Sequence, residues 1–155
     1  MEIAKIESQT TQYIVVNLGI EQYGIDIKYV DNIVRMQKIT RVPKAPRFFR
    51  GVINLRGEIV PIMSVRRKFE LDEDVITDKT RIIIVKIEDA MVGLIVDEVK
   101  EVVEIHSAQV EAVHNIQGKM KSNHILGVGK LEDNIVTLLN LSNIIDEAFA
   151  TNEIK

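Results

Sequence analysis

No cysteine occurs in the 155-residue chain, which excludes a disulfide framework and any thiol chemistry. No apolar run approaches the length of a membrane span. The first residues, MEIAKIESQTTQ, have neither the basic start nor the apolar core of a secretion signal, so a cytoplasmic location is expected. Catalytic groups are equally sparse. His106, His114 and His124 show no close metal-ligand pairing. Ser8, Ser64, Ser107, Ser122 and Ser142 come with neither a nucleophile elbow nor a triad. The run Gly127-Val128-Gly129 lacks the third glycine of a dinucleotide fingerprint, and an acidic turn follows it. Asp97-Glu98 and Asp72-Glu73-Asp74 read as solvated surface rather than as a catalytic carboxylate pair. Neither enzymatic activity nor a cofactor is expected.

Leucine is scarce as well, with 9 residues against 24 isoleucines and 19 valines. β-Branched side chains favour strands, so the chain reads as mainly β. Strands are expected at residues 13–18, 23–27, 51–55, 58–63, 82–87, 92–96, 100–105, 125–131 and 134–139, with another near Val34 after a helical turn or bulge. Residues 64–69 suit a short helix. Ser142 can cap a second over residues 143–150, with Ile144, Ile145, Ala148 and Phe149 as its apolar face. The acidic stretch 71–78 reads as a link. Two runs of five short strands, each too small to leave open edges, imply two small closed barrels packed together.

The two runs are copies. Residues 51–60, GVINLRGEIV, align without gaps on 127–136, GVGKLEDNIV. Residues 12–36 align on 81–105, with Val16, Gly24, Val30 and Val34 falling on Val85, Gly93, Val99 and Val103. A unit of about seventy residues is thus written twice, which signals a duplicated small domain rather than a solenoid. The approximate units are 12–70 and 80–150 within one domain spanning the chain. Gly24 and Gly93 are expected at equivalent strand positions where backbones approach closely, with Val92 facing the groove between units. The copies differ in their turn. Asn54-Leu55-Arg56-Gly57-Glu58 in the first becomes Lys130-Leu131-Glu132-Asp133-Asn134 in the second, and turns carry function more often than shared core residues do.

Net charge is only −3, but ten basic residues and one acid fall between residues 35 and 68. Arg35, Lys38, Arg41, Lys44, Arg47 and Arg50 recur at every third position. Pro43 and Pro46 forbid a continuous helix there. A polyproline II segment would align Arg41, Lys44 and Arg47 on one side. The segment is either a solvated loop or a surface for an acidic partner, whether protein or nucleic acid. A nucleic-acid-binding double barrel using residues 35–68 is the alternative to a protein-binding role.

GVINLRGEIVPI at 51–62, YGIDIKYVDNI at 23–33 and VGLIVDEVKEVVEI at 92–105 together resemble the CheW family, the adaptor proteins of bacterial chemotaxis. The resemblance runs from about Gln12 to Phe149. It implies two five-stranded SH3-like β-barrels around a shared core, with no catalytic activity and no cofactor. The implied partners are the cytoplasmic tips of methyl-accepting chemoreceptors and the regulatory domain of the histidine kinase CheA. The adaptor joins them in arrays at the inner face of the membrane, without inserting into it and without nucleic acid. Carried over by motif position, the receptor-binding residues would be Ile27, Val30, Ile33, Leu55, Arg56 and Gly57, bordered by Val92 and Gly93. The kinase-binding residues would be Ile39, Thr40, Val42 and Pro43, supported by Gly51. One departure stands out: Asn32 occupies a position where the family often has an acid, with Asp31 just before it.

Overall fold

Extended backbone suits the β-branched composition, and the computed structural model, which describes residues 9–112 and 122–150, is built on eleven strands among those residues. In the first half these are β1 (Thr10–Leu18), β2 (Glu21–Asp26), β3 (Val30–Arg35), β4 (Phe49–Leu55) and β5 (Glu58–Ser64). The second half contributes β6 (Arg81–Ile87), β7 (Ala90–Val96), β8 (Glu98–His106), β9 (Val110–Glu111), β10 (Ile125–Lys130) and β11 (Ile135–Leu139). A single helical turn, α1 (Val65–Lys68), follows β5, and α2 (Leu141–Ala150) follows β11. The turn expected before β3 is a 3-10 turn at Ile27–Tyr29, where the Asp26 side chain accepts from the Lys28 amide.

The sheet orders are β8-β1-β2-β11-β10-β9 and β3-β6-β7-β5-β4. The repeat matches β1 to β6, β2 to β7, β3 to β8, β4 to β10 and β5 to β11. Under that correspondence the two orders are the same, with β9 added at one end. The halves of the chain are nevertheless not the two sheets. Each sheet takes a hairpin from one half and at least three strands from the other, so the approximate units 12–70 and 80–150 exchange their hairpins between the sheets. Hydrogen bonding between β3 and β4 does not close the second sheet among the described residues. Instead Thr40, between them in sequence, makes an isolated bridge to Val52 of β4.

Burial explains the exchange. Ile14, Val16, Tyr23 and Ile25 point to one large cluster, which also holds their equivalents Ile83, Val85, Val92 and Leu94. The alternate residues point the other way. Tyr13 and Val15 join Ile105, Val136 and Leu138, while Ile82 and Ile84 join Ile53, Val60 and Ile62. Both hairpins are therefore apolar on both faces, as buried strands are. Neither half has enough cover of its own, so each hairpin lies between the shared core and the strands of the other half.

The glycines at equivalent positions mark the closest contacts. Gly24 pairs with Leu138 across the parallel β2–β11 ladder, and Gly93 pairs with Ile62 across β7–β5. A Cβ at Gly24 would lie 2.8 Å from Leu138 Cδ2, and one at Gly93 would lie 2.5 Å from Ile62 Cδ1. Ile62 and Leu138 are themselves equivalent in the repeat. Val92 is 1 % exposed, so it belongs to the shared core and does not face a groove.

The second helix starts earlier than the sequence suggests. Asn140, not Ser142, provides the cap: its Oδ1 accepts from the Asn143 amide at 3.1 Å, and its carbonyl accepts from Ile144 at 3.0 Å. An asparagine side chain reaches the free amides of a first turn as well as serine does, and Leu141 gains a buried place by joining the helix. Ser64 caps α1, accepting from the Arg67 amide.

Asp97, between β7 and β8, ties the halves together. Arg66 of α1 donates to it from Nε at 2.9 Å and Nη2 at 2.6 Å. The Gly19 amide, in the β1–β2 turn, adds a third hydrogen bond at 2.7 Å. The residue read as solvated surface is thus a bidentate clamp. The Arg66 hydrogen bond, helped by the Gly19 amide and opposed by desolvation, holds its carboxyl below the ordinary aspartate range.

Two outcomes are expected. Gly24→Ala and Gly93→Ala each lower stability by about 1–3 kcal/mol through overpacking, and by similar amounts, because the surroundings are duplicated; urea midpoints check this. A carboxyl with a depressed folded value contributes stability above its unfolded value and loses it as pH falls through the folded one. Asp97→Asn therefore costs about 1–2 kcal/mol at neutral pH. Parent and variant converge in an acid series taken below the ordinary aspartate range.

Candidate functional site

Two of the three histidines lie in structural contacts. His106 Nδ1 accepts from the Ala108 amide and caps a 3-10 turn. His124 is buried, 3.3 Å from Glu147 of α2 and 6.1 Å from the Phe69 ring centroid. His114 lies outside the described residues. Among the described residues no cluster of His, Asp and Glu is arranged to hold a metal ion. The described surface also carries exposed apolar side chains such as Ile27 and Ile33 and the exposed Arg56, materials of a protein interface.

Two edges carry them. Along the first, Ile27 and Ile33 are each 37 % exposed, and Val30 is half-buried against the shared core. Asn32, beside them, accepts from the Ile33 amide through its own side chain. At the far end of the same sheet lies the β4–β5 turn. Leu55 is half-buried on the cluster of Ile53, Val60 and Ile62, where Val34 of β3 also packs. The two edges are thus linked through one core cluster and not by strand pairing. Val92 and Gly93, expected to border this surface, are buried. They present no side chain to a partner, because the second hairpin is enclosed on both faces.

Arg56-Gly57 is a two-residue hairpin loop between Leu55 and Glu58. Both residues are left-handed, with φ of 53° and 88°, the arrangement that matches the twist of adjoining strands. Asn54 Oδ1 accepts from the Gly57 amide at 2.9 Å and holds the loop. For arginine this backbone is costly. The equivalent loop at Glu132-Asp133 has no positive φ. Arg56 is therefore displayed, exposed, on a turn that another residue type would form with less strain.

The second edge belongs to the segment between β3 and β4. Thr40 exchanges hydrogen bonds with Val52 at 2.9 and 2.8 Å. A Cβ at Gly51 would come within 2.1 Å of the Thr40 carbonyl oxygen, so glycine there lets the segment cross β4. Ile39 packs on the inner cluster, and Val42 and Pro43 follow at the surface. Ile39, Thr40, Val42, Pro43 and Gly51 are thus assembled in one place. The same crossing occurs in the other half, where β9 pairs with β10 and Gly127 meets Val110 and Glu111. Sequence inspection misses β9, which is only two residues long.

The basic segment is not polyproline II. A turn over Val42–Ala45, with Lys44 at φ 67° and an Ala45 amide to Val42 carbonyl contact of 3.4 Å, interrupts it. A second turn joins the Phe49 amide to the Pro46 carbonyl at 3.0 Å. Arg41, Lys44 and Arg47 still line one cleft, together with Arg50 and Arg67. The acidic link answers part of this charge. The Asp74 side chain is buried, receiving Arg50 at 3.2 Å and the Ser64 hydroxyl at 2.6 Å. Glu73 receives Arg67 Nε at 2.8 Å on one oxygen and Arg47 on the other. The Arg67 hydrogen bond, with the Arg47 and Arg50 charges behind it, lowers the Glu73 carboxyl below its usual range. Asp72 and Glu73 are thus exposed, as the sequence suggests, and only the Asp74 side chain is drawn inward. The opposed charges of 35–68 and 71–78 were the signal in the sequence that could have revealed the contact.

Backbone strain at the displayed turn makes a direct test. Arg56→Gly is expected to keep or raise stability, by up to about 1 kcal/mol, whereas Gly57→Ala lowers it by about 1 kcal/mol. Denaturant unfolding of the two variants measures both.

Comparison with known proteins agrees with this geometry. The family model described as "CheW-like domain" matches residues 12–149. The chemotaxis protein CheW of Bacillus subtilis is 35% identical over 127 residues, which cover 82% of this chain and 81% of that protein. The Helicobacter pylori CheW is 32% identical over 141 residues, covering 91% and 85%. The crystal structure of the scaffolding protein TtCheW from Thermoanaerobacter tengcongensis matches with a TM-score of 0.79 and 32% identity, over 86% of each chain. With nearly its whole length matched and its fold shared with a scaffolding member, this chain belongs to the CheW-like family of chemotaxis proteins.

Proposed function

We propose that the chain is a chemotaxis adaptor that couples methyl-accepting chemoreceptors to the histidine kinase CheA in signalling arrays, without catalysis of its own. The match of the CheW-like model across residues 12–149 carries this reading. The surface supports it. Ile27, Val30 and Ile33 offer an apolar strip suited to the hydrophobic face of a receptor helix. Leu55, Arg56 and Gly57 form the other part of that contact, where Arg56 forks onto a carboxylate or onto carbonyls at a helix C-terminus. Ile39, Thr40, Val42 and Pro43, seated over Gly51, form the kinase face. No helix among the described residues is long and apolar enough to cross a membrane, and the adaptor is proposed to reach the inner membrane face through its receptor. The nucleic-acid reading loses its main support, because Arg47, Arg50 and Arg67 are already paired with Glu73 and Asp74.

The two faces are separable by substitution. In a capture experiment with a chemoreceptor cytoplasmic fragment and CheA, Arg56→Ala is expected to lose the receptor and retain the kinase. Val42→Asp is expected to do the reverse, raising the kinase off-rate at least about tenfold by burying an unpaired carboxylate at the interface. Melting curves of both variants should match the parent. Failure of the parent to capture either partner overturns the coupling role, and normal capture by both variants overturns the residue assignment.

A further inference from the structure

The cleft beside the basic segment has a chemistry of its own. It encloses about 480 Å³. Its charged lining is Arg41, Lys44, Arg47, Arg50 and Arg67, and its apolar lining includes Ile39 and Val42. Three of the cations are engaged by the acidic link. Those engagements differ in kind. The Asp74 side chain is 2% exposed, held by Arg50 and by the Ser64 hydroxyl, and anchors the link. The Glu73 side chain is 53% exposed and rests across Arg47 and Arg67 from outside. An exposed pair of this kind is weak and exchangeable. Arg41 and Lys44 form no ion pair among the described residues.

We infer that this cleft is a binding site for an acidic peptide segment, and that Glu73 of the chain itself partly occupies it as an internal competitor. Two of the cleft's arginines already hold a carboxylate carried on main chain that is neither helix nor strand, which is the chemistry of such a peptide. Arg47 and Arg67 meet one carboxylate from two sides, as guanidinium groups do in specific recognition. Arg41 and Lys44 supply uncompensated charge to draw the ligand in. Ile39 and Val42 give its aliphatic carbons a surface. Single-stranded nucleic acid is the poorer fit, because stacking needs open aromatic faces. Phe49 is 6 % exposed, and Phe48 is covered by Phe49 at 5.0 Å and by Lys68 at 4.6 Å. The inference goes beyond the adaptor role, although Ile39 and Val42 are shared with the proposed kinase face.

Fluorescence anisotropy of a fluorescein-labelled Asp/Glu-rich peptide, titrated with the full chain in the absence of kinase and receptor, tests it. The peptide is expected to bind at low salt and to weaken as salt rises. Glu73→Ala is expected to tighten binding about threefold to tenfold. Arg41→Ala combined with Lys44→Ala is expected to weaken it at least about tenfold. Glu132→Ala makes the same change in net charge at a distant exposed turn and is expected to leave the affinity unchanged. Circular dichroism melts confirm that each variant is folded. Equal effects of Glu73→Ala and Glu132→Ala, or tighter binding of oligothymidylate than of the peptide, overturn the inference. Because no kinase is present, a failed titration with intact kinase capture rejects only the peptide site. The converse result rejects only the kinase face.

Discussion

The β1–β2 and β6–β7 hairpins carry aliphatic side chains on both faces, and burying both faces at once is the constraint from which the rest of the architecture follows. One face of each meets its counterpart in the shared core, where Ile14, Val16, Ile83 and Val85 lie together. The other face requires three further strands. A half-chain that folded back on its own hairpin would leave the shared-core face uncovered. Exchange of hairpins between halves covers all four faces, and the parallel ladders β2–β11 and β7–β5 are its consequence. Gly24 and Gly93 lie in those ladders because Leu138 and Ile62 leave no room for a side chain.

Such a fold leaves function to its edges. The core consumes most aliphatic residues of the hairpins, so the proposed contacts lie elsewhere, on the 3-10 turn and β3, the β4–β5 loop, and the segment that crosses β4. Duplication makes the two halves alike inside, and divergence at the edges makes them different outside. Arg50 lines a basic cleft, whereas its equivalent Leu126 borders one with Val110, Thr11 and Ser107 that no charged residue lines. Arg56 stands on a left-handed turn where the second copy has the acidic pair Glu132-Asp133. The proposed adaptor role with two partners would need this asymmetry, since identical edges would not distinguish them.

Charge is organised on the same plan. The basic segment around residues 41–50 and the acidic link are separated in sequence by β5 and α1, yet they meet beside β4 and β5 of the second sheet. Asp74 and Asp97 each serve as an anchor there, the first through Arg50 and Ser64, the second through Arg66 and the Gly19 amide. Asp97, from the second half, holds both α1 and the β1–β2 turn of the first, so it reinforces the exchange that the hairpins demand. Arg41 and Lys44 are left without partners among the described residues, and the surface potential of the cleft rests on them.

Much of this was legible in the residues. The strand positions, the duplication, the equivalence of Gly24 with Gly93 and the turn at Arg56-Gly57 follow from alternation, from β-branched content and from self-alignment, because local backbone preference and side-chain period are properties of neighbours in sequence. The CheW-like resemblance followed from the same motifs. What the residues did not reveal was long-range. The hairpin exchange, the burial of Val92, the clamp at Asp97 and the pairing of Glu73 and Asp74 depend on which segment lies across from which. So did the replacement of a polyproline II segment by two turns, set by the need to cross β4 over Gly51. A periodic pattern states that a face must be buried, but many partners satisfy it equally. Only the simultaneous packing of both hairpins selects one.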